Sequence, residues 1–180
     1  MTSIRRVATE DLRPEEVAAI RVLLAETFGD EDGGFGELDW EHALGGVHVV
    51  LEDSATIFAH AAVVERTIEI DGRPFRTGYV EAVGTKVGHH GRGHGTAVMR
   101  VVGEIIRERF ELGALGTGRF AFYERLGWER WRGPSSVRTP DGLLRTPDED
   151  GWILVLRTPA SGAIRLEAPI SCDWRPGAVW

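Results

Sequence analysis

The run Arg92-Gly93-His94-Gly95-Thr96-Ala97 sets small residues where a β-rich stretch gives way to a helical one. Glycines there remove Cβ atoms so that a ligand can approach the backbone. The first amides of the helix have no intrahelical partner and lie at the positive end of its dipole, so the turn can cradle a pyrophosphate. The same residues serve equally well for a plain reversal of the chain. The spacing is not Gly-x-Gly-x-x-Gly closing a first βα unit, which argues against a dinucleotide-binding crossover, and no Gly-Lys-Ser/Thr follows, which excludes a P-loop. Downstream, Phe122-Tyr123-Glu124-Arg125-Leu126-Gly127-Trp128 reads by itself as a core aromatic pair closed by a helix-ending Gly127. His89, His90 and His94 crowd the glycine-rich turn without a nearby Cys, Asp or Glu ligand set, so no metal site is expected.

The elements that would position these residues follow a mixed α+β order. Residues 2–7 read as a strand, and Pro14 opens a helix in which Val17, Ile20, Leu23 and Leu24 recur at helical spacing up to Phe28-Gly29. Asp30-Glu31-Asp32-Gly33-Gly34 reads as an acidic loop, after which Asp39 is expected to cap a short helix carrying Trp40, His42 and Leu44. Residues 47–51 and 56–70 are β-rich, Asp71-Gly72-Arg73-Pro74 predicts a hairpin turn with Gly72 at positive φ, and residues 75–87 form the returning strand. The glycine-rich turn then leads into a helix that buries Val98, Val101, Val102, Ile105 and Ile106. Residues 112–115 and 152–156 read as strands, 120–126 as a short helix, and 166–180 as irregular. With no repeat and no linker, a single domain over residues 1–180 is expected.

In this order, with a short strand between them, the two motifs resemble the acetyl-CoA site of the GNAT acetyltransferases. That family pairs Arg/Gln-x-x-Gly-x-Gly/Ala with Phe-Tyr-x-x-Leu-Gly-Phe/Trp on the following helix. The resemblance implies the GNAT fold, an α+β domain with a mostly antiparallel sheet split at residues 81–85, and acetyl-CoA as cosubstrate without a metal. It assigns the amides of Arg92, Gly93, His94, Gly95, Thr96 and Ala97 to the CoA pyrophosphate, and Val83 and Thr85 to the pantetheine arm, the Val83 amide polarising the thioester carbonyl. Tyr123 would protonate the departing thiolate, a phenol of pKa ~10 facing a thiol of ~8.5. Glu81 would serve as base toward the attacking ammonium, through a water, or as an anchor for the substrate's cation.

Asp39-Trp40-Glu41-His42-Ala43-Leu44-Gly45-Gly46, Gly78-Tyr79-Val80-Glu81, Arg145-Thr146-Pro147-Asp148-Glu149-Asp150-Gly151 and Cys172-Asp173-Trp174-Arg175-Pro176-Gly177-Ala178-Val179-Trp180 narrow the similarity to the aminoglycoside 2′-N-acetyltransferases over nearly the whole chain. This implies that the C-terminal segment, about 166–180, folds back and that the α-carboxylate of Trp180 binds a substrate ammonium. Asp39, Trp40, Glu81 and Glu149 would line the same acceptor cleft, where charge-assisted hydrogen bonds orient a polycation. The chain departs from that family in ending Ala178-Val179-Trp180 rather than Asp-Val-Trp, and in having Gly34 near an expected acidic position that Asp32 could replace. The stretch Gly116-Thr117-Gly118 is also shorter than usual. Fewer carboxylates imply a less basic acceptor, kasugamycin ahead of gentamicin or tobramycin. Rival readings are a GNAT enzyme for another amine, such as a polyamine, and a non-catalytic acetyl-CoA-binding module in which Tyr123 and Glu81 are only structural. Members of the family often form homodimers, and the sequence identifies no interface for one.

Composition is compatible with a cationic partner, and equally with a modest negative charge that serves only solubility. Lys and Arg number 21 against 28 Asp and Glu, a net charge of −7, which argues against a duplex nucleic-acid binder. No apolar run is long enough for a membrane span, and the first residues do not read as a secretory leader. The single Cys172 cannot form an internal disulfide, so a cytoplasmic protein is expected.

Overall fold

The structure, a computed structural model, describes residues 1–29, 33–54 and 56–180. They cluster into two compact units, Met1–Val64 with Val80–Glu104, and Glu65–Tyr79 with Ile105–Trp180. The first begins with strand β1 (Ser3–Ala8) and helix α1 (Pro14–Phe28). Pro14 suits the first helical position, where an N–H would have no partner, and the Glu16 carboxylate accepts the Arg13 amide at 2.9 Å. Gly29, at φ 62°, ends the helix. The spacing of Ile20, Leu23 and Leu24 turns one face of α1 onto a core shared with Val7, Trp40, Ala43, Val50, Ala62 and Ala82.

Helix α2 (Glu37–His42) differs from expectation at both ends. Gly36 is its N-cap, and Asp39 reaches back from the first turn to accept the Gly36 amide at 2.8 Å, while Leu44 lies past the C-terminus. Asp30, Glu31 and Asp32 of the expected acidic loop, and Ala55, lie outside the described residues. Strand β2 (Val47–Glu52) pairs antiparallel with β1 and with strand β3 (Ile57–Ile70). Asp71 and Gly72, at φ 54° and 78°, turn β3 into strand β4 (Arg73–Thr85), the hairpin that the Asp-Gly pair predicts. Helix α3 (His94–Arg109) follows; Val98, Val102, Ile105 and Ile106 are buried as expected, whereas Val101 is only half-buried.

In the second unit strand β5 (Leu112–Gly116) pairs parallel with β4 from Thr77↔Leu112 to Tyr79↔Ala114. Helix α4 (Phe120–Glu124), strand β6 (Glu129–Arg130), the hairpin of strands β7 (Ser135–Thr139) and β8 (Gly142–Arg145), and strand β9 (Ile153–Arg157) follow. β9 lies antiparallel between β5 and β6. The expectation that residues 166–180 are irregular is overturned in part: strand β10 (Ile170–Asp173) pairs antiparallel with Ile68 to Ile70 of β3 and parallel with β7. Its Ile170, Ser171 and Cys172 are all buried, and four residues without a burial alternation are easily missed in a Pro- and Gly-flanked sequence. Pairing is thus antiparallel except at β4–β5 and β7–β10. Among the described residues no helix is long and apolar enough to cross a membrane.

Candidate active site

Residues 80–85 of β4, in the first unit, carry Glu81, Val83 and Thr85, all half-buried. Between them Ala82 sits at φ 52°, a left-handed conformation that costs a residue with a Cβ about 1–2 kcal/mol. Its carbonyl accepts a hydrogen bond from His60 Nδ1 at 2.8 Å. Gly84 is glycine because α1 rides directly on the strand: a Cβ there would lie 2.8 and 2.9 Å from the Leu23 and Leu24 methyls. The Thr27 hydroxyl is 2.7 Å from the Leu23 carbonyl and 3.2 Å from that of Thr85. The stretch predicted to part from its neighbour is therefore fixed from behind at Ala82, Gly84 and Thr85.

Gly88, Gly91 and Gly93 all have positive φ, so the chain between β4 and α3 follows a path closed to most side chains. Arg92 and Gly93 are exposed and residues 94–97 half-buried, which leaves the start of α3 open. Ala97 departs from the predicted anion-binding set, because its amide donates to Gly93 O at 2.9 Å as the first bond of the helix. His94 stacks on Phe58 with ring centroids 5.2 Å apart, and His89 lies 5.0 Å from the same ring. Burial, with Arg92, His94 and Lys86 adding positive charge nearby, holds the His89 pKa below the usual histidine range. Among the described residues no group of three or more His, Cys, Asp or Glu is placed to hold a metal ion.

Two predicted acceptor residues of this unit have structural work. Asp39 caps α2, and Trp40, 5 % exposed, packs in the core with its ring 5.9 Å from that of His48.

The second unit holds the remaining predicted residues. Tyr123 on α4 is 6 % exposed, its ring edge-on to Phe122 and Trp128, and burial pushes its pKa up to about 12. Gly127, at φ 89°, closes α4 by donating its amide to Glu124 O at 3.0 Å, and the Trp128 amide returns to Tyr123 O at 3.2 Å. The aromatic motif is thus a packed helix end that also presents a tyrosine. Glu149 is half-buried in the turn Pro147–Glu149; burial, with the charge of Asp148 beside it, raises its pKa above the usual carboxylate range.

Trp180 is 7 % exposed, and its indole N–H donates to Thr146 Oγ1 at 3.0 Å. Its carboxyl carbon lies 3.7 Å from the point where a Cβ on Gly116 would sit, as does the Tyr79 hydroxyl oxygen, so Gly116 makes room for the chain's end. Sequence reasoning missed what docks it. Arg66, almost fully buried, donates to Val179 O at 2.8 Å, Asp173 O at 2.7 Å and Asp173 Oδ1 at 3.1 Å, with its guanidinium 4.7 Å from the Tyr79 ring centroid. The Cys172 thiol, which burial raises to about 11, donates to the same Val179 carbonyl at 3.3 Å. Thr146 is braced through Ser135 by Asp150, whose carboxylate Arg145 holds at about 2. The signal for Arg66 was an arginine inside a long β-rich run; the signal for His60 was a lone histidine among alanines and valines.

Comparison with known proteins identifies the family and the fold. The sequence profile of the acetyltransferase (GNAT) domain matches residues 8–131. Over 180 aligned positions, 98 % of this chain and 91 % of the relative, the chain is 41 % identical to an aminoglycoside 2′-N-acetyltransferase of Mycolicibacterium fortuitum. The fold is similar to that of the GNAT family N-acetyltransferase YhbS of Escherichia coli in complex with CoA, with a TM-score of 0.66 at 15 % identity over 95 % of this chain and 89 % of that one. A GNAT acetyltransferase of Brucella melitensis in complex with acetyl-CoA gives 0.63 at 17 % identity over 94 % of each chain.

Proposed function

Because the chain belongs to the GNAT acetyltransferases, enzymes that use acetyl-CoA as cosubstrate, we propose that it acetylates an amino group of an aminoglycoside. The observation that carries the choice of acceptor is the 41 % identity over 98 % of the chain. The net charge of −7 suits a polycationic substrate.

The residues present fit acetyl-CoA. The exposed residues Arg92 and Gly93 and the half-buried first turn of α3 suit a pyrophosphate, and the half-buried backbone at Val83 and Thr85 suits the pantetheine arm. When bound, acetyl-CoA supplies an activated acyl group. The Val83 N–H polarises the thioester carbonyl oxygen and Glu81, through a water, takes the proton that frees the amine's lone pair. A nitrogen–carbon bond forms, the carbon–sulfur bond breaks, and the second proton, shed by the new amide nitrogen, passes through water to the departing thiolate to give CoA thiol. Tyr123, with a pKa of about 12, keeps its proton and donates a hydrogen bond to the leaving sulfur; full transfer to a thiolate of pKa ~8.5 would cost about 5 kcal/mol. The carboxylates of Trp180 and Glu149 hold ammonium groups of the acceptor, and the raised pKa of Glu149 marks a carboxylate that a cation would relieve.

The ending Ala178-Val179-Trp180 removes one carboxylate expected of the family, and favours a weakly basic acceptor such as kasugamycin over gentamicin or tobramycin. The physiological consequence would be resistance. Release of CoA thiol from acetyl-CoA should be measured with each drug, with a polyamine and with no acceptor. Turnover of gentamicin and none of kasugamycin overturns the preference; turnover of the polyamine alone overturns the aminoglycoside reading.

A further inference from the structure

Three side chains with no part in the chemistry above stand in single file through the first unit and end on the β4 kink. His60 Nδ1 lies 2.8 Å from Ala82 O, His60 Nε2 lies 2.9 Å from His48 Nδ1, and His48 Nε2 lies 2.9 Å from Thr9 Oγ1. Both imidazoles are 0 % exposed. The direction of every bond follows from the kink, because a carbonyl can only accept. His60 Nδ1 must carry a proton, so in the neutral ring Nε2 accepts from His48 Nδ1–H, and His48 Nε2 accepts the Thr9 hydroxyl proton. Thr9 Oγ1 then has two lone pairs, which the amides of Gly45 and Gly46 fill at 3.0 and 3.2 Å. Burial holds both rings neutral at pH 7, lowering His48 to about 4 and His60 to about 3, and a proton on either ring would further disfavour one on the other.

The end of the file matters because Ala82 is the only non-glycine residue at positive φ inside a strand among those described. A peptide unit is planar and trans, so the direction of Ala82 C=O sets that of Val83 N–H on the opposite side of the same plane. We propose that His60, locked as its Nδ1–H tautomer by His48 and Thr9, is a positioning residue that aims the Val83 amide at the thioester carbonyl. The inference rests on the role given to Val83 above, and His60 itself touches no substrate.

The test uses the full chain as wild type, His60→Leu and His60→Asn, the last retaining an N–H near the Nδ1 position. Difference infrared spectra of bound acetyl-CoA carrying a 13C-labelled carbonyl report polarisation; kcat is taken per molecule competent to bind acetyl-CoA; and 15N spectra of the wild type report the tautomer. The expected results are a carbonyl stretch lowered from that of free acetyl-CoA in the wild type and restored toward it in His60→Leu. Loss of an oxyanion donor costs about 100- to 1000-fold, so misaiming one should lower kcat about 10- to 100-fold, with acceptor KM little changed and His60→Asn within about fivefold of wild type. An unshifted carbonyl in the wild type overturns the role of Val83 and this proposal with it. A shifted wild type with His60→Leu unchanged in stretch and kcat overturns the role of His60 alone, as does a His60→Asn no better than His60→Leu. If neither variant folds, the wild-type tautomer still decides: Nε2–H or a protonated ring at pH 7 overturns the proposal, and Nδ1–H upholds it.

Discussion

Lowering the pH from 7 to 5 should destabilise this protein through His48 and His60. An unfolded histidine titrates near 6.5, whereas burial holds the folded rings at about 4 and about 3. Because the folded pKa values lie below the unfolded one, this stability is fully present above pH 6.5 and is lost as the pH falls, since only the unfolded chain takes up the protons. At pH 5 each ring held neutral lies about 1.5 pH units below the pKa of a free histidine, which is about 2 kcal/mol per ring or about 4 kcal/mol for the pair. Glu16 and Asp150, held at about 2, add little in this window, because their unfolded pKa values lie below 5. The loss is a large part of the 5–15 kcal/mol typical of a domain, and with a urea m-value of about 2 kcal/mol/M it moves the midpoint down by about 2 M. Urea unfolding at pH 7, 6 and 5 measures it, with a variant combining His48→Asn and His60→Asn as the control that should flatten the response. A wild-type midpoint constant from pH 7 to 5, or an equal fall in the control, would refute the claim that these rings are buried and neutral.

A short Gly-Ser extension after Trp180 converts its carboxylate to an amide; the aminoglycoside KM should rise at least about 10-fold while calorimetric affinity for acetyl-CoA stays unchanged, the loss expected of a buried charge pair. Tyr123→Phe removes the hydrogen bond to the leaving sulfur and should lower kcat by about 10- to 100-fold at unchanged acetyl-CoA affinity, read in a steady-state thiol-release assay. Gly84→Ala drives a methyl to within 2.9 Å of Leu23 and Leu24, and should cost about 1–3 kcal/mol, visible as a drop of several degrees in Tm by calorimetry.

Much of the fold was legible because its signals are local. Pro14, the spacing of Ile20, Leu23 and Leu24, the Asp71-Gly72 turn and the glycines before α3 each act within a few residues, and each sits where expected. The two motifs are local in the same way, since the glycine-rich turn before α3 and the Tyr123 helix end closed by Gly127 are each built from contiguous chain. Strand β10 was not, because its pairing with β3 and β7 joins residues far apart in sequence and its four residues carry too short a pattern to stand alone.

The sequence by itself determined the helix that Pro14 opens, the Asp71-Gly72 hairpin and the glycine-rich turn before α3, and it singled out Glu81, Tyr123 and Trp180 at the C-terminal end as candidates. Only tertiary structure decided that Arg66 and Thr146 dock that end, that Trp40 packs in the core and Asp39 caps a helix, and that two histidines and a threonine hold Ala82 in its kink. Periodicity tells which side of a strand or helix a residue faces, but a buried polar group is satisfied by partners that folding brings from distant positions, and no local pattern names them.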